Sequence, residues 1–106
     1  MYAKLHERTI MESGRPAVRR ILAACDAELL GRVFREGDAV LDLQKYRSFY
    51  EGGKVTQGEL AVLLKESVNI NLVGKKTIAV AGKCMKLSPA GVKKIGGVPH
   101  LQIYFV

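Results

Sequence analysis

After Glu66 the sequence contains no acidic residue, yet six lysines follow: Lys75, Lys76, Lys83, Lys86, Lys93 and Lys94. Two further absences narrow the class. No apolar run approaches the roughly 20 residues that a transmembrane helix needs. The opening MYAKLHERTI places Lys4, Glu7 and Arg8 where a signal peptide needs an apolar stretch. A cytoplasmic location with no membrane partner is therefore expected. Cysteine is scarce, and Cys25 and Cys84 form neither a metal-ligand spacing nor a redox pair. In a reducing compartment they read as buried thiols. Asn and Gln total five residues, a scarcity typical of proteins from hot environments.

What is present is an uneven charge. The 106-residue chain carries +7, with nine basic and eight acidic residues in 1–53 but eight lysines and two acids in 54–106. A one-signed half is the electrostatic footprint expected for a polyanion such as RNA, DNA or an anionic surface. The alternative is a solvated surface that only confers solubility.

Length fits one domain over 1–106, and composition fits an ordinary globular protein. Residues 2–9 and the segment AVRRILAAC read as two strands separated by the turn ESGRP. Asp26 is a good N-cap, and Leu29, Leu30, Val33 and Phe34 have the spacing of a helix of two to three turns ending at Gly37. Leu41 and Leu43 share one face of a following strand, and YRSFYEGGK reads as an aromatic loop or short strand. Thr56 and Glu59 form a capping box ahead of the stripe Leu60, Leu63 and Leu64. SVNINLVG alternates as a strand, with Val68, Ile70 and Leu72 opposite Asn69 and Asn71. Gly74 to about Met85 reads as a helix. Strands near Val92–Ile95 and at 99–106 complete a single compact α+β domain. Its mixed or antiparallel sheet is expected to hold about five strands, with about three helices.

The final strand is the first candidate site. Alternation puts Leu101, Ile103 and Phe105 on a core face and His100, Gln102 and Tyr104 on the other. An imidazole, an amide and a ring along one strand suit stacking on a base and reading its edge. A half-exposed strand of mixed polarity is the plainer reading. The terminus at Val106, lacking a polar tail, is expected to be paired inside the sheet. Gly96 and Gly97, flanked by Lys93 and Lys94, form a turn whose amides are a candidate phosphate cradle. Lys75 and Lys76 fall in the first turn of the helix after Gly74. Cations beside free amides there make a second candidate anion site, with Asn71 as a possible cap. The phosphate-loop spacing of nucleotide-binding proteins is missing, so no cofactor is expected. No cluster has metal-ligand spacing, so no metal is expected either. Cys25, at the start of the expected helix, is a weak candidate nucleophile with His100 or His6 as its base.

Three segments in order carry a family resemblance: CDAELLG at 25–31, NLVG at 71–74 and IGGVPHLQ at 95–102. Together they resemble the small archaeal proteins grouped as domain of unknown function 424. The resemblance implies an archaeal, cytoplasmic, compact α+β domain and supplies no activity. A site common to the family would map to Cys25, Asp26, Asn71, Gly74, Gly96, Gly97, His100 and Gln102. The lysine-rich second half departs from the more acidic members of the family.

The expectation from charge and pattern is a non-enzymatic RNA-binding protein associated with the ribosome or another translation assembly. Its partners would be RNA, foremost ribosomal RNA, and ribosomal proteins. Lys75, Lys76, Lys93 and Lys94 would meet phosphates, while His100, Gln102 and Tyr104 would meet bases or sugars. Two alternatives stand beside it. One is a protein-interaction subunit using Phe49, Tyr50 and the apolar carboxy terminus. The other is a small-ligand or hydrolytic enzyme using Cys25 or His100.

Overall fold

The computed structural model describes residues 1–85 and 91–104. The expectations for Phe105 and Val106, and for the break after the third helix, lie outside the described residues. Two long strands, β1 (Tyr2–Glu12) and β2 (Arg15–Cys25), form an antiparallel hairpin through a two-residue turn at Ser13 and Gly14. A short 3-10 turn (Ala27–Leu29) leads to a ribbon of β3 (Val33–Glu36) and β4 (Ala39–Asp42). The single turn α1 (Arg47–Tyr50) and the two-residue β5 (Gly53–Lys54) follow. Then come α2 (Gln57–Lys65), β6 (Asn69–Val73), α3 (Lys75–Cys84), β7 (Val92–Ile95) and β8 (Val98–Ile103).

Six strands join in the order β5-β1-β2-β6-β8-β7, and β3-β4 is a separate two-stranded sheet. The α+β class is as expected, with more strands than the sequence indicated. β2 and β6 are parallel, with Ile21 opposite Asn69 and Cys25 opposite Val73; the other pairs are antiparallel.

Side-chain alternation gives the main sheet two different faces. On one face Ala3, Leu22, Ala24, Ile70, Leu72 and Leu101 pack against Leu60 and Leu64 of α2 and Val80 and Ala81 of α3. Each fully buried leucine contributes roughly 2 kcal/mol here. On the other face Ala23, Cys25, Val73 and Val98 pack against Leu41 and Leu43 near β4 and Tyr50 of α1. Helices therefore cover one face, while the ribbon and α1 roof part of the other.

α2 starts at the expected capping box. Thr56 Oγ1 accepts from the Glu59 amide, and Glu59 Oε1 accepts from the Thr56 amide. The helix expected after Asp26 is not formed. That segment contains the 3-10 turn and β3 instead, with Leu29, Leu30 and Phe34 partly buried against the second core. Two causes are visible. Gly31 has φ +84, which ends any right-handed helix, and its amide donates to the Leu43 carbonyl at 2.9 Å. The Asp26 side chain, which would have capped that helix, is used elsewhere. The stretch expected as an aromatic loop or short strand holds the helical turn α1 at Arg47–Tyr50 and ends in the short strand β5 at Gly53–Lys54. Lys4 Nζ donates to the Ser48 carbonyl at 2.9 Å, and His6 Nε2 donates to the Phe49 carbonyl at 2.8 Å. These bonds tie the carboxy end of α1 to β1.

The β1-β2 hairpin outgrows the body. β6 pairs with β2 only from Ile21 onward, and β5 pairs with β1 only at Tyr2 and Ala3. Residues 7–20 are thus a two-stranded arm. The radius of gyration is 14.0 Å, against about 13 Å for a compact chain of this length, and the long axis is 43 Å. The free edge of the arm is blunted. Asn69 Nδ2 donates to the Arg20 carbonyl at 3.1 Å, so even-numbered residues of β2 direct their backbone groups outward. One of them is Pro16, which has no amide to offer. Among the described residues no helix is long and apolar enough to cross a membrane.

Candidate functional site

Of the residues singled out in the sequence, Asp26, Lys75, Lys76, Gly96 and Gly97 line one hollow, and Asn71, His100 and Gln102 line a second. The first holds about 320 Å³ and is lined by Lys75, Lys76, Gly96 and Gly97 together with Asp26, Glu28 and Arg32. The second holds about 380 Å³ and lies between the β4 segment, Tyr46, α1 and the floor formed by Asn71, His100 and Gln102.

The first hollow brings Lys75, Lys76, Gly96 and Gly97 together, but the amides of Lys76, Thr77 and Gly96 are already bound. Asp26 Oδ2 accepts from the Lys76 amide at 3.1 Å, and its Oδ1 accepts from the amide and the hydroxyl of Thr77, both at 2.8 Å. Asp26, not Asn71, therefore caps α3, from 50 residues away in sequence. Its carboxylate occupies the place an external anion would take at this helix end. Gly74, with φ +109, lies against that carboxylate, and a Cβ there would overlap its carbon. The Gly96 amide donates to Glu36 Oε1 at 3.2 Å, so the turn is held by a second internal carboxylate. The Lys76 ammonium pairs with Glu28 at 3.1 Å. The expectation of free amides is corrected for Lys76, Thr77 and Gly96, whose partners are carboxylates supplied from within. Lys75 remains exposed and makes no ion pair among the described residues.

The two strand lysines also separate. Lys93 is paired across the hairpin with His100, and Lys94 with Pro99, so the period of two sends them to opposite faces. Lys93 stands beside the second hollow and Lys94 does not.

The second hollow is organised by Asn71, which alternation had placed on a polar strand face. In fact the whole of β6 is buried, because α1 and the ribbon cover that side. The Tyr50 hydroxyl donates to Asn71 Oδ1 at 2.8 Å, His100 Nε2 donates to the same oxygen at 2.9 Å, and Asn71 Nδ2 donates to the Tyr104 hydroxyl at 3.0 Å. One buried amide thus orients an imidazole and two phenols. An amide oxygen only accepts, so in this bond His100 carries its proton on Nε2, which makes Nδ1 the acceptor nitrogen of the neutral ring. Burial, and then the nearby Lys93 charge, lower the His100 pKa from its ordinary value, which keeps the ring neutral at pH 7. Burial raises the Tyr50 pKa, so that hydroxyl keeps its proton. Around this polar floor stand Phe49, stacked on His6 at 4.5 Å between ring centroids, and Tyr46, which is 55% exposed. Gln102 and Tyr104 are exposed. The hollow therefore offers aromatic surface, a neutral imidazole acceptor and a primary amide, with a cation at its rim.

Sequence reasoning found His100, Gln102 and Tyr104, and it missed the part played by Asn71, Tyr46 and Tyr50 in the same place. Only the fold brings residues 46–50 over β6 and β8. Cys25 lies at the end of β2 rather than at a helix start, and it is fully buried. Burial, with Asp26 beside it, pushes its thiol pKa up to about 12, so almost none is thiolate at neutral pH. Among the described residues no group of three or more His, Cys, Asp or Glu side chains could hold a metal ion.

A family model described as "Protein of unknown function (DUF424)" matches residues 17–106. No curated protein matches the chain. Among solved structures, the chain is similar to an uncharacterized conserved protein from the archaeon Methanopyrus kandleri. The sequences are 23% identical, the match covers 94% of this chain and 90% of that one, and the TM-score is 0.68. Likeness at that identity concerns the fold alone.

Proposed function

The chain belongs to the DUF424 family, and on that premise we propose that it is a non-enzymatic, single-stranded RNA-binding protein serving a ribosomal or other translation assembly. The observation that carries the reading is the second hollow. Its volume of about 380 Å³ has room for a splayed base, and it combines rings for stacking with edge-reading groups from His100 and Gln102. Stacking on an exposed ring such as Tyr46 tolerates any base, and the imidazole and amide then add preference. Lys93 at the rim and Lys75 near the first hollow supply exposed cations for the backbone. Because Asp26 and Glu36 occupy the amides of Lys76, Thr77 and Gly96, phosphate contact in this reading rests on side-chain cations.

The test is titration of an unstructured oligoribonucleotide, followed by fluorescence anisotropy at several salt concentrations. With about six phosphates neutralised, the affinity should fall on the order of 300-fold between 50 and 200 mM salt. Tyr46→Ala should weaken binding by about 1–3 kcal/mol while leaving the salt slope unchanged. Failure to bind at 50 mM salt, or an affinity indifferent to salt, would overturn the reading.

A further inference from the structure

The β1-β2 arm has two chemically different faces. On one, cross-strand neighbours are Glu7 with Arg20, Thr9 with Val18, and Met11 with Pro16. Glu7 and Arg20 form an ion pair at 2.9 Å, so this face is neutral, and its apolar side chains Met11 and Val18 are 68% and 53% exposed. On the other, the pairs are Arg8 with Arg19, Ile10 with Ala17, and Glu12 with Arg15. Here three arginines meet one glutamate, which is bound to Arg19. Arg8 and Arg15 make no ion pair among the described residues.

Like charges placed directly opposite on a ribbon are destabilising. Arg8 and Arg19 face each other in just that way, and one glutamate offsets only part of the repulsion. A polyanion lying along the ribbon would remove the rest. The direction of this face matters as much as its charge. Alternation along β1 and β2 places Arg8 and Arg19 on the same side of the sheet as Lys4, His6, Asn71 and His100. Arg19 lies four residues along β2 from Ala23, the neighbour of Asn71, and Arg15 lies eight residues away. At the usual strand rise these steps are about 13 Å and about 26 Å. Such distances correspond to roughly four to eight stacked nucleotides at 3.4 Å each.

We propose that the Arg8–Arg15–Arg19 face of the β1-β2 arm is a second RNA-binding element, which holds the phosphate backbone of a strand whose base occupies the hollow beside His100. The inference rests on the RNA reading of that hollow and extends it to a surface outside the lysine-rich half. An anionic membrane is the competing partner for a cationic ribbon. It would draw on exposed apolar side chains next to the cations, yet this face offers only the half-buried Ile10 and Ala17, and the exposed Met11 and Val18 are on the opposite face.

The experiment compares salt slopes for an unstructured oligoribonucleotide of about 12 nucleotides. Four proteins are titrated: the parent, Arg8→Ala/Arg15→Ala, Arg20→Ala and Tyr46→Ala. Arg19 is retained because Glu12 depends on it. The double variant should show a slope shallower by about 1.4, whereas Arg20→Ala, on the neutral face, should match the parent. Circular dichroism of the double variant should be that of the parent. If the parent binds and Tyr46→Ala weakens it, while the double variant keeps the parental slope, the arm is not an RNA element and the hollow stands. If the double variant is shallower and Tyr46→Ala is silent, the arm stands and the hollow falls. A parent that binds phosphatidylserine vesicles through Arg8 and Arg15, and no RNA, would overturn both.

Discussion

Cys25 shows how position rather than identity decides chemistry. Its side chain is sealed between Tyr50, Val73 and the end of β2, and desolvation is the main reason its thiol pKa rises to about 12. Cys84, near the end of α3, is only partly buried. Iodoacetamide at pH 8 should therefore label Cys84 in the native protein and reach Cys25 only after unfolding. Mass spectrometry of the two tryptic peptides checks this, and native labelling of Cys25 at the rate of a free thiol would contradict it. Asn71 is the opposite case, a buried polar side chain whose value lies in its bonds. Its amide serves three partners at once, so any replacement strands at least one of them at a cost of about 1–3 kcal/mol each.

Among the elements, α3 depends most on a distant residue. Asp26→Ala removes three hydrogen bonds at its first turn and should cost about 2–3 kcal/mol in chemical denaturation. The same change vacates the amides of Lys76 and Thr77. The gain in melting temperature from sulfate over chloride should then be larger in the variant than in the parent. Equal gains in the two proteins would mean that these amides are closed to external anions. This cap also marks the limit of what the sequence discloses. Local signals were legible: the Thr56–Glu59 capping box, the turn at Gly96 and Gly97, and the alternation that placed His100 and Gln102 on one side. Leu29, Leu30, Val33 and Phe34 have helical spacing, but spacing records only neighbours along the chain. Asp26 is drawn to Thr77 and the Gly31 amide to Leu43, and both partners lie beyond any local window. For the same reason Asn69 and Asn71 read as a polar face. Nothing near them in sequence reveals that residues 39–50 fold over them. The separation of Lys93 from Lys94, by contrast, follows from strand alternation alone.

For the molecule as a whole, exposed positive charge is spread over several elements: Lys75 beside the first hollow, Lys93 beside the second, and Arg8 and Arg15 along the arm. The central seam of the sheet has a different consequence, and it concerns time. β1 and β2 close through a two-residue turn, but β2 meets its parallel neighbour β6 only after 48 residues, from Ile21 to Asn69. Closing a loop of that length costs about 3 kcal/mol beyond a constant before any contact compensates for it. Leu22 and Ala24 in the hairpin therefore wait uncovered until β6 and the two helices arrive. Pulse-labelled amide exchange during refolding should find β1 and β2 protected before β6 and β8. During synthesis the hairpin leaves the ribosome before α2, β6 and α3, so the apolar half of the sheet's centre spends that interval without its cover. For that interval Pro16 and the arginines of the arm serve as a guard against pairing with other nascent chains.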